Sequence, residues 1–286
     1  METGDHFKNG AGTKSYTSSS VFLSSLVIAA LAVTAAFTSC GKDDDQKVKL
    51  LETITKSDGY TEKYEYDQQN RLTKFTVLYD VAPINPIETH EYTYNAGGDL
   101  VKREVKTVNP DNDFTEEYVK NGNTITITRK TSGLQDIIRT LELNSNGYPT
   151  KREDVRNDFI GGSTYFRTYS YKDGNLTKFS ETRFHHTEGI TVPLYDYEYE
   201  YDNKKSPRSN WKVPKWFVIW YFETTGSQNN VTKSTYFGYA QIGEFEFTRR
   251  PGQDTDLIYE YDSDGFPTKR TTVSNGFEIL YEYKIK

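Results

Sequence analysis

The chain has 286 residues and a formal net charge of −6, with 23 Tyr and 16 Phe but one Cys and one Met. A lone Cys excludes an intramolecular disulfide framework, and mild acidity with both signs interspersed excludes the basic patch of a nucleic-acid partner. A mean hydropathy of −0.77 excludes strands that are apolar on both faces, so alternating strands with one dry and one wet face are expected. Such a length permits one large all-β core, and abundant aromatic residues suit a pleated, half-buried surface.

Taken from its start, the chain opens with an export segment. Lys8 and Lys14 precede an apolar run over residues 21–37 (VFLSSLVIAALAVTAAF). A basic stretch followed by such a run is the pattern of a secretory signal, and 17 residues with several Ser, Thr and Ala are short for a membrane-spanning helix. The run ends in Phe37-Thr-Ser-Cys40-Gly41. This resembles the lipobox of bacterial lipoproteins, with Phe37 in place of the usual Leu. The resemblance implies that Cys40 is lipidated and becomes the mature N-terminus, and two or three acyl chains anchor a protein stably. Gly41-Lys-Asp-Asp-Asp45 follows, a charged spacer similar to the signal that sends Bacteroidetes lipoproteins to the outer face of the outer membrane. The expected division is a signal peptide over 1–39, a lipidated Cys and acidic linker over 40–49, and a β domain over 50–286.

The β domain repeats itself. The units begin at Tyr64-Glu-Tyr66, Tyr92-Thr-Tyr94, Leu141-Glu-Leu143, Tyr169-Ser-Tyr171, Tyr199-Glu-Tyr201 and Tyr259-Glu-Tyr261, and Tyr281-Glu-Tyr283 ends the chain as half a unit. Period-two spacing puts both rings on one strand face and the residue between them on the other. Asp, Asn and Gly then supply a tight turn. A returning strand carries Lys74, Lys102, Lys151, Lys178 or Lys269, each placed to lie along a ring or to face a Glu across the pair. Asn121-Gly122 and Asn275-Gly276 mark further hairpins. The second residues of the motifs fall at 66, 94, 143, 171, 201, 261 and 283. The two long steps, 94 to 143 and 201 to 261, each have room for a degenerate unit. Some 14 to 16 strands are expected, with no segment of period 3.6. The expected fold is therefore an all-β antiparallel meander of repeated hairpins, forming a curved open sheet or a barrel-like shell. A membrane-spanning barrel fits poorly, because its lipid face would be aliphatic rather than Tyr with charge.

These units resemble the YD repeats of RHS-type and wall-associated bacterial proteins, and with the signal they are similar to a group of Bacteroidetes lipoproteins of unknown function. The protein-enclosing shell of the large toxins does not carry over to so short a chain.

Little in the sequence points to chemistry. His185 and His186 are adjacent, so on a strand they face opposite ways and make poor co-ligands. Asp262-Ser-Asp264-Gly265 lacks the remaining oxygens of a calcium loop. No nucleophile elbow, phosphate loop or marked carboxylate pair is present, so no catalytic residue, metal site or cofactor is assigned. The repeat is interrupted at Trp211-Lys-Val-Pro-Lys-Trp216-Phe-Val-Ile-Trp220-Tyr-Phe222. Read as a strand, it places Trp216, Val218 and Trp220 on one face and Phe217, Ile219 and Tyr221 on the other. Two readings stay open: a buried plug of the sheet, or an aromatic platform in which Trp211, Trp216, Trp220 and Tyr221 bind a glycan or a surface protein. The functional expectation is an exported, lipid-anchored binding or scaffolding module of the outer membrane facing the cell exterior, without catalysis. A surface hydrolase and a structural envelope component are the alternatives.

Overall fold

A computed structural model describes residues 47–81, 86–156, 162–243 and 246–286, with the side chain of Arg156 excepted. The signal segment and Cys40 lie outside the described residues. The first eight strands are β1 (Lys49–Lys56), β2 (Tyr60–Tyr66), β3 (Leu72–Tyr79), β4 (Glu88–Tyr94), β5 (Leu100–Thr107), β6 (Phe114–Asn121), β7 (Thr124–Thr131) and β8 (Ile137–Leu143). The second eight are β9 (Pro149–Arg156), β10 (Ser163–Lys172), β11 (Asn175–His185), β12 (Ile190–Lys205), β13 (Asn229–Gln241), β14 (Phe247–Tyr261), β15 (Pro267–Thr272) and β16 (Glu278–Ile285). Every strand pairs antiparallel with its neighbours in sequence, and β1 pairs with β16. The sheet is thus a closed barrel rather than an open one, which leaves it no free edge.

Repeat chemistry builds the wall. The motif ends β2, β4, β8 and β14 and stands one residue before the end of β10, and the Asp, Asn and Gly behind it turn the chain; in β12 the strand runs on to Lys205. In the first unit the Asp67 carboxylate accepts from the backbone N–H groups of Gln69 and Arg71, and Asn144 and Asp262 do the same in the third and sixth units. Gly98, Gly147 and Gly265 sit at positive φ in three of these turns, where a Cβ is costly. Of the two placements open to the repeat lysines, two of them take the Glu across the pair: Lys151 reaches Glu142 at 3.5 Å and Lys269 reaches Glu260 at 3.8 Å.

The second tyrosines do something that periodicity did not reveal. Tyr94, Tyr171, Tyr201 and Tyr283 donate their hydroxyls to the carbonyls of Leu72, Pro149, Leu176 and Pro267, at 2.9, 2.7, 2.5 and 2.8 Å. Those Leu and Pro residues open the returning strand of the preceding unit. Tyr66 likewise reaches the carbonyl of Leu51 at 2.6 Å. The motif's Tyr and its Leu or Pro are therefore two halves of one hydrogen bond that joins successive hairpins.

The two long steps have different causes. Between 94 and 143 lie β5 to β8, so the β6–β7 hairpin is the expected degenerate unit. Between 201 and 261 only β13 and β14 intervene. That step holds no degenerate unit. It is long because residues 206–228 are inserted between β12 and β13, and because these strands are 16, 13 and 15 residues long.

The insertion forms α1 (Lys215–Phe222) and a 3-10 turn (Glu223–Gly226). The strand expected here is a helix. Its sequence, KWFVIWYF, is apolar all round, so no polar stripe betrays the 3.6 period, and such a helix must be surrounded. Trp216, Phe217 and Val218 share one buried cluster with Tyr64, Phe75, Tyr92, Tyr118 and Ile127 of the wall. Ile219 joins a second with Tyr169, Leu176 and Phe179. The helix is packed against both clusters inside the barrel. Gly226 lets the 3-10 turn fold back on it: a Cβ there would lie 2.6 Å from Val218 Cγ1 and 2.7 Å from its carbonyl oxygen.

These contacts identify the inner face of the wall. On the outer face lie the exposed Lys63, Glu65, Glu91, Thr93, Glu117, Glu142 and Glu282. A few apolar side chains, Val119, Ile138, Ile258 and Leu280 among them, are scattered between.

Candidate functional site

Period two places the residue after each repeat lysine on the inner face, and in three units that residue is Arg: Arg103, Arg152 and Arg270. In two others it is Phe75 or Phe179. The lumen is therefore lined by rings interleaved with guanidinium groups, and carboxylates from neighbouring strands answer most of them. Arg103 meets Glu116 at 2.8 Å. Arg139 bridges Glu116 and Asp154 at 3.5 and 3.4 Å. Arg152 bridges Asp154 and Glu181 at 3.1 and 3.3 Å. Arg167 pairs with Glu181 at 2.8 Å and with Glu223 at 2.6 Å. This belt crosses from β5 to β11 and ends on the insertion. Its desolvated charges persist because each is paired.

The insertion docks on that belt at two points. The Tyr221 ring lies 4.3 Å from the Arg103 guanidinium. Glu223, which ends α1 at φ +47°, holds a backbone conformation that costs of order 1–3 kcal/mol in a non-glycine residue, and its carboxylate is the one that grips Arg167. His90 is buried at 1% exposure against the same helix, with Nε2 2.6 Å from Glu88 and Nδ1 3.4 Å from the Tyr221 hydroxyl. Burial pushes the His90 pKa down, more than the neighbouring Glu88 raises it.

Beneath the helix is a cavity of about 500 Å³, walled by Ile54, Phe75, Phe222, Ile279 and Tyr281 and carrying Lys56, Glu62, Arg208 and Arg270. Glu62 lies 2.6 Å from Lys56 and 3.8 Å from Arg208, and accepts from the Tyr64 hydroxyl. Burial works to raise its pKa, but Arg208 and Lys56 together outweigh that and hold it below the usual range. Arg208 donates to the Tyr64 hydroxyl at 2.9 Å and stacks on Phe222 at 4.4 Å. Its Nε is buried without a partner, as is that of Arg270. The Arg270 side chain makes no ion pair or hydrogen bond among the described residues. Arg208 also borders a second cavity of about 500 Å³, on the opposite side of the insertion, with Trp211, Asn210, Lys215 and Gln228. A third, of about 740 Å³, lies where β11 to β14 extend at the far rim, beside Arg183, His185 and Glu188.

The residues singled out in the sequence fall as follows. Trp211 and Trp216 are buried at 8% and 6% exposure, and Trp220 and Tyr221 are half-buried against the same core. They form no exposed platform, but Trp211 borders the second cavity and Tyr221 the first. His185 and His186 do part company. The first lines the rim cavity, and the second contacts Thr164 Oγ1 at 2.9 Å. Asp262 and Asp264 both bind Lys49 Nζ at 2.7 Å, tying β1 to the sixth turn. Among the described residues no group of three or more His, Cys, Asp or Glu is arranged to hold a metal. Glu62, Arg208 and Arg270 went unnoticed in the sequence. For Arg270 a signal existed: the Lys-Arg step combined with strand alternation.

No family model matches the chain, and no curated protein does. Among solved structures it is similar to a porin-like protein from Bacteroides vulgatus, at 10% identity and a TM-score of 0.39, over 83% of this chain and 99% of that one. It is also similar to a porin-like protein from Bacteroides uniformis, at 16% identity and a TM-score of 0.37, over 84% and 97%. A TcdB2-TccC3-TEV structure matches at 12% identity and a TM-score of 0.27, covering 77% of this chain and 12% of that one. These likenesses are distant, and no functional conclusion rests on them.

Proposed function

We propose that the chain is an exported, lipid-anchored binding module of the outer membrane, facing outward, whose ligand enters the barrel rather than resting on its surface. The observation that supports this most is the division between the two faces of the wall. The outer face is mostly Thr, Lys and Glu with scattered apolar side chains, which suits water better than lipid. The lumen holds the aromatic residues, a helix and an incompletely paired set of cations. The helix packs against two clusters of the wall and occupies the lumen, which suits a container more than a pore. The cavities lend the hydrolase alternative no carboxylate pair: Glu62 lines the one beneath α1 and Glu188 the one at the rim.

The anchor is tested by labelling cells with radioactive palmitate. The natural protein should take up label and fractionate with the outer membrane, and Cys40→Ala should lose both. Label retained by Cys40→Ala would contradict the anchor. For the binding role, a blank glycan array together with a blank pull-down from intact cells would count against it and favour the envelope-component alternative.

A further inference from the structure

We infer that the cavity beneath α1 binds a small organic anion, with a carboxylate, phosphate or sulfate group held by Arg270 and Arg208 and a ring-shaped or apolar body lying against Phe75, Ile54 and Ile279. The inference rests on the binding-module reading and adds the class of ligand.

Charge carries it first. The cavity holds three cations, Lys56, Arg208 and Arg270, against one carboxylate, Glu62. Glu62 is already committed to Lys56 and to the Tyr64 hydroxyl. Arg270 is thus left without a carboxylate, and Arg208 with only a distant share of Glu62 at 3.8 Å, in a desolvated place where an unpaired ion is costly. Each arginine of the belt described above has a carboxylate within 3.5 Å.

Hydrogen bonding is the second observation: a buried Nε without a partner also occurs at Arg103, Arg129, Arg152 and Arg183, but of the cavities described only this one is lined by two such arginines. Arg208 is buried at 7% exposure, yet its Nε has no partner. Arg270 Nε is likewise buried and unpartnered. A guanidinium presents its donors as a planar fork that an oxyanion satisfies two at a time. Arg270 also borders the small space shared with Tyr259 and Thr225, so its fork stands between two open volumes with nothing to grip.

Size and access agree. A volume of about 500 Å³ lies within the usual ~300–1,000 Å³ of a small-molecule site. The Lys56 side chain lines the cavity and keeps 29% of its surface exposed to solvent.

The test is calorimetric titration of the lipid-free barrel, residues 47–286, which closes on itself through β1 and β16 and carries its own core. Benzoate and phenyl phosphate supply the anion and a ring, benzamide the ring alone, and inorganic phosphate the anion alone. Benzoate or phenyl phosphate should bind at least about tenfold tighter than benzamide and than inorganic phosphate. Which of the two binds better distinguishes a carboxylate from a phosphate ligand. Arg270→Gln should weaken the better probe by about tenfold or more, and Glu62→Gln should tighten it by removing the competing carboxylate. Arg183→Gln, at the far rim, should leave it unchanged. Because Arg270 holds no partner, Arg270→Gln should melt with the parent protein, which separates lost binding from lost folding.

Equal binding of benzoate and benzamide would overturn the anion assignment while leaving a binding module intact. So would an Arg270→Gln protein that binds as well as the parent, or an Arg183→Gln protein that loses as much. Absence of binding by both ring anions up to about 10 mM would also overturn it.

Discussion

Phe217 is the point at which the helix can be separated from the barrel by one substitution. Its ring is fully buried. It stacks on Tyr221 with centroids 5.7 Å apart and meets Tyr92, Trp216 and Trp220 edge-on at 5.5, 5.7 and 5.8 Å. Truncating a buried Phe to Ala costs about 3–5 kcal/mol, and the cost is highest where the surroundings cannot collapse. This wall cannot collapse locally, since each strand is hydrogen-bonded on both sides around a closed ring. Phe217→Ala should therefore lie in the upper half of that range, at about 4 kcal/mol, which is a large fraction of the ~5–15 kcal/mol typical of a domain. Equilibrium urea unfolding measures it, followed by far-UV circular dichroism and by the fluorescence of Trp216 and Trp220 beside the substituted ring. The midpoint should fall with the slope unchanged. Val119→Ala, at 63% exposure on the outer face, should change stability by no more than about 0.5 kcal/mol. If Phe217→Ala costs under about 1 kcal/mol, or no more than Val119→Ala, the helix is not the core of the barrel and the reasoning fails.

The remaining predictions concern the wall and the lumen charges. Tyr94→Phe, Tyr171→Phe and Tyr283→Phe each remove one hydroxyl-to-carbonyl bond between hairpins and should each cost about 1 kcal/mol in the same urea assay. The triple variant should lose about 3 kcal/mol if these bonds act independently. Glu116→Gln leaves Arg103 and Arg139 without their shared anion and should cost about 3–5 kcal/mol, measured by thermal and urea unfolding. Gly226→Ala forces a Cβ into Val218 and should lower the melting temperature, whereas Gly122→Ala, whose Cβ meets nothing within 4 Å, pays only for its positive φ. The pH profile follows from His90 and Glu62. The folded His90 pKa lies below its ordinary 6.5, so the unfolded chain takes the proton first and stability declines as the pH falls below 6.5. The folded Glu62 pKa lies below 4.5, so its contribution is full above 4.5 and is lost as the pH falls through the folded value. His90→Gln should flatten the slope between 6.5 and 4.5 and leave the steeper acid limb, as read from urea midpoints across pH.

Local rules account for much of the fold and little of the site. Alternation in Tyr-x-Tyr gave the correct inner and outer faces, and the Asp, Asn and Gly turns fell where their chemistry placed them, because both depend on residues a few positions apart. Closure did not follow from such rules. It depends on β1 meeting β16, and that contact joins opposite ends of the chain. The pairing of Tyr94 with Leu72 was hidden for the same reason: each half of the bond was visible as part of a repeat, but nothing local says they touch. α1 was misread because period is legible only as contrast, and KWFVIWYF has none. The step from 201 to 261 was misread with it, since a helix-bearing insertion and a degenerate hairpin occupy similar lengths of chain. Arg208 and Glu62 carry no motif. They became a site only when the insertion brought Arg208 from residue 208 back to β2.

The central claim is that this barrel is a closed vessel with a polar outside and a filled inside. Its most direct test is to prepare residues 47–286 without detergent and offer them to lipid bilayers. The account predicts a monodisperse protein in plain buffer that neither floats with liposomes nor opens conductance steps in a planar bilayer. A protein that stays in solution only with detergent, and that opens discrete conductance steps on insertion, would contradict it.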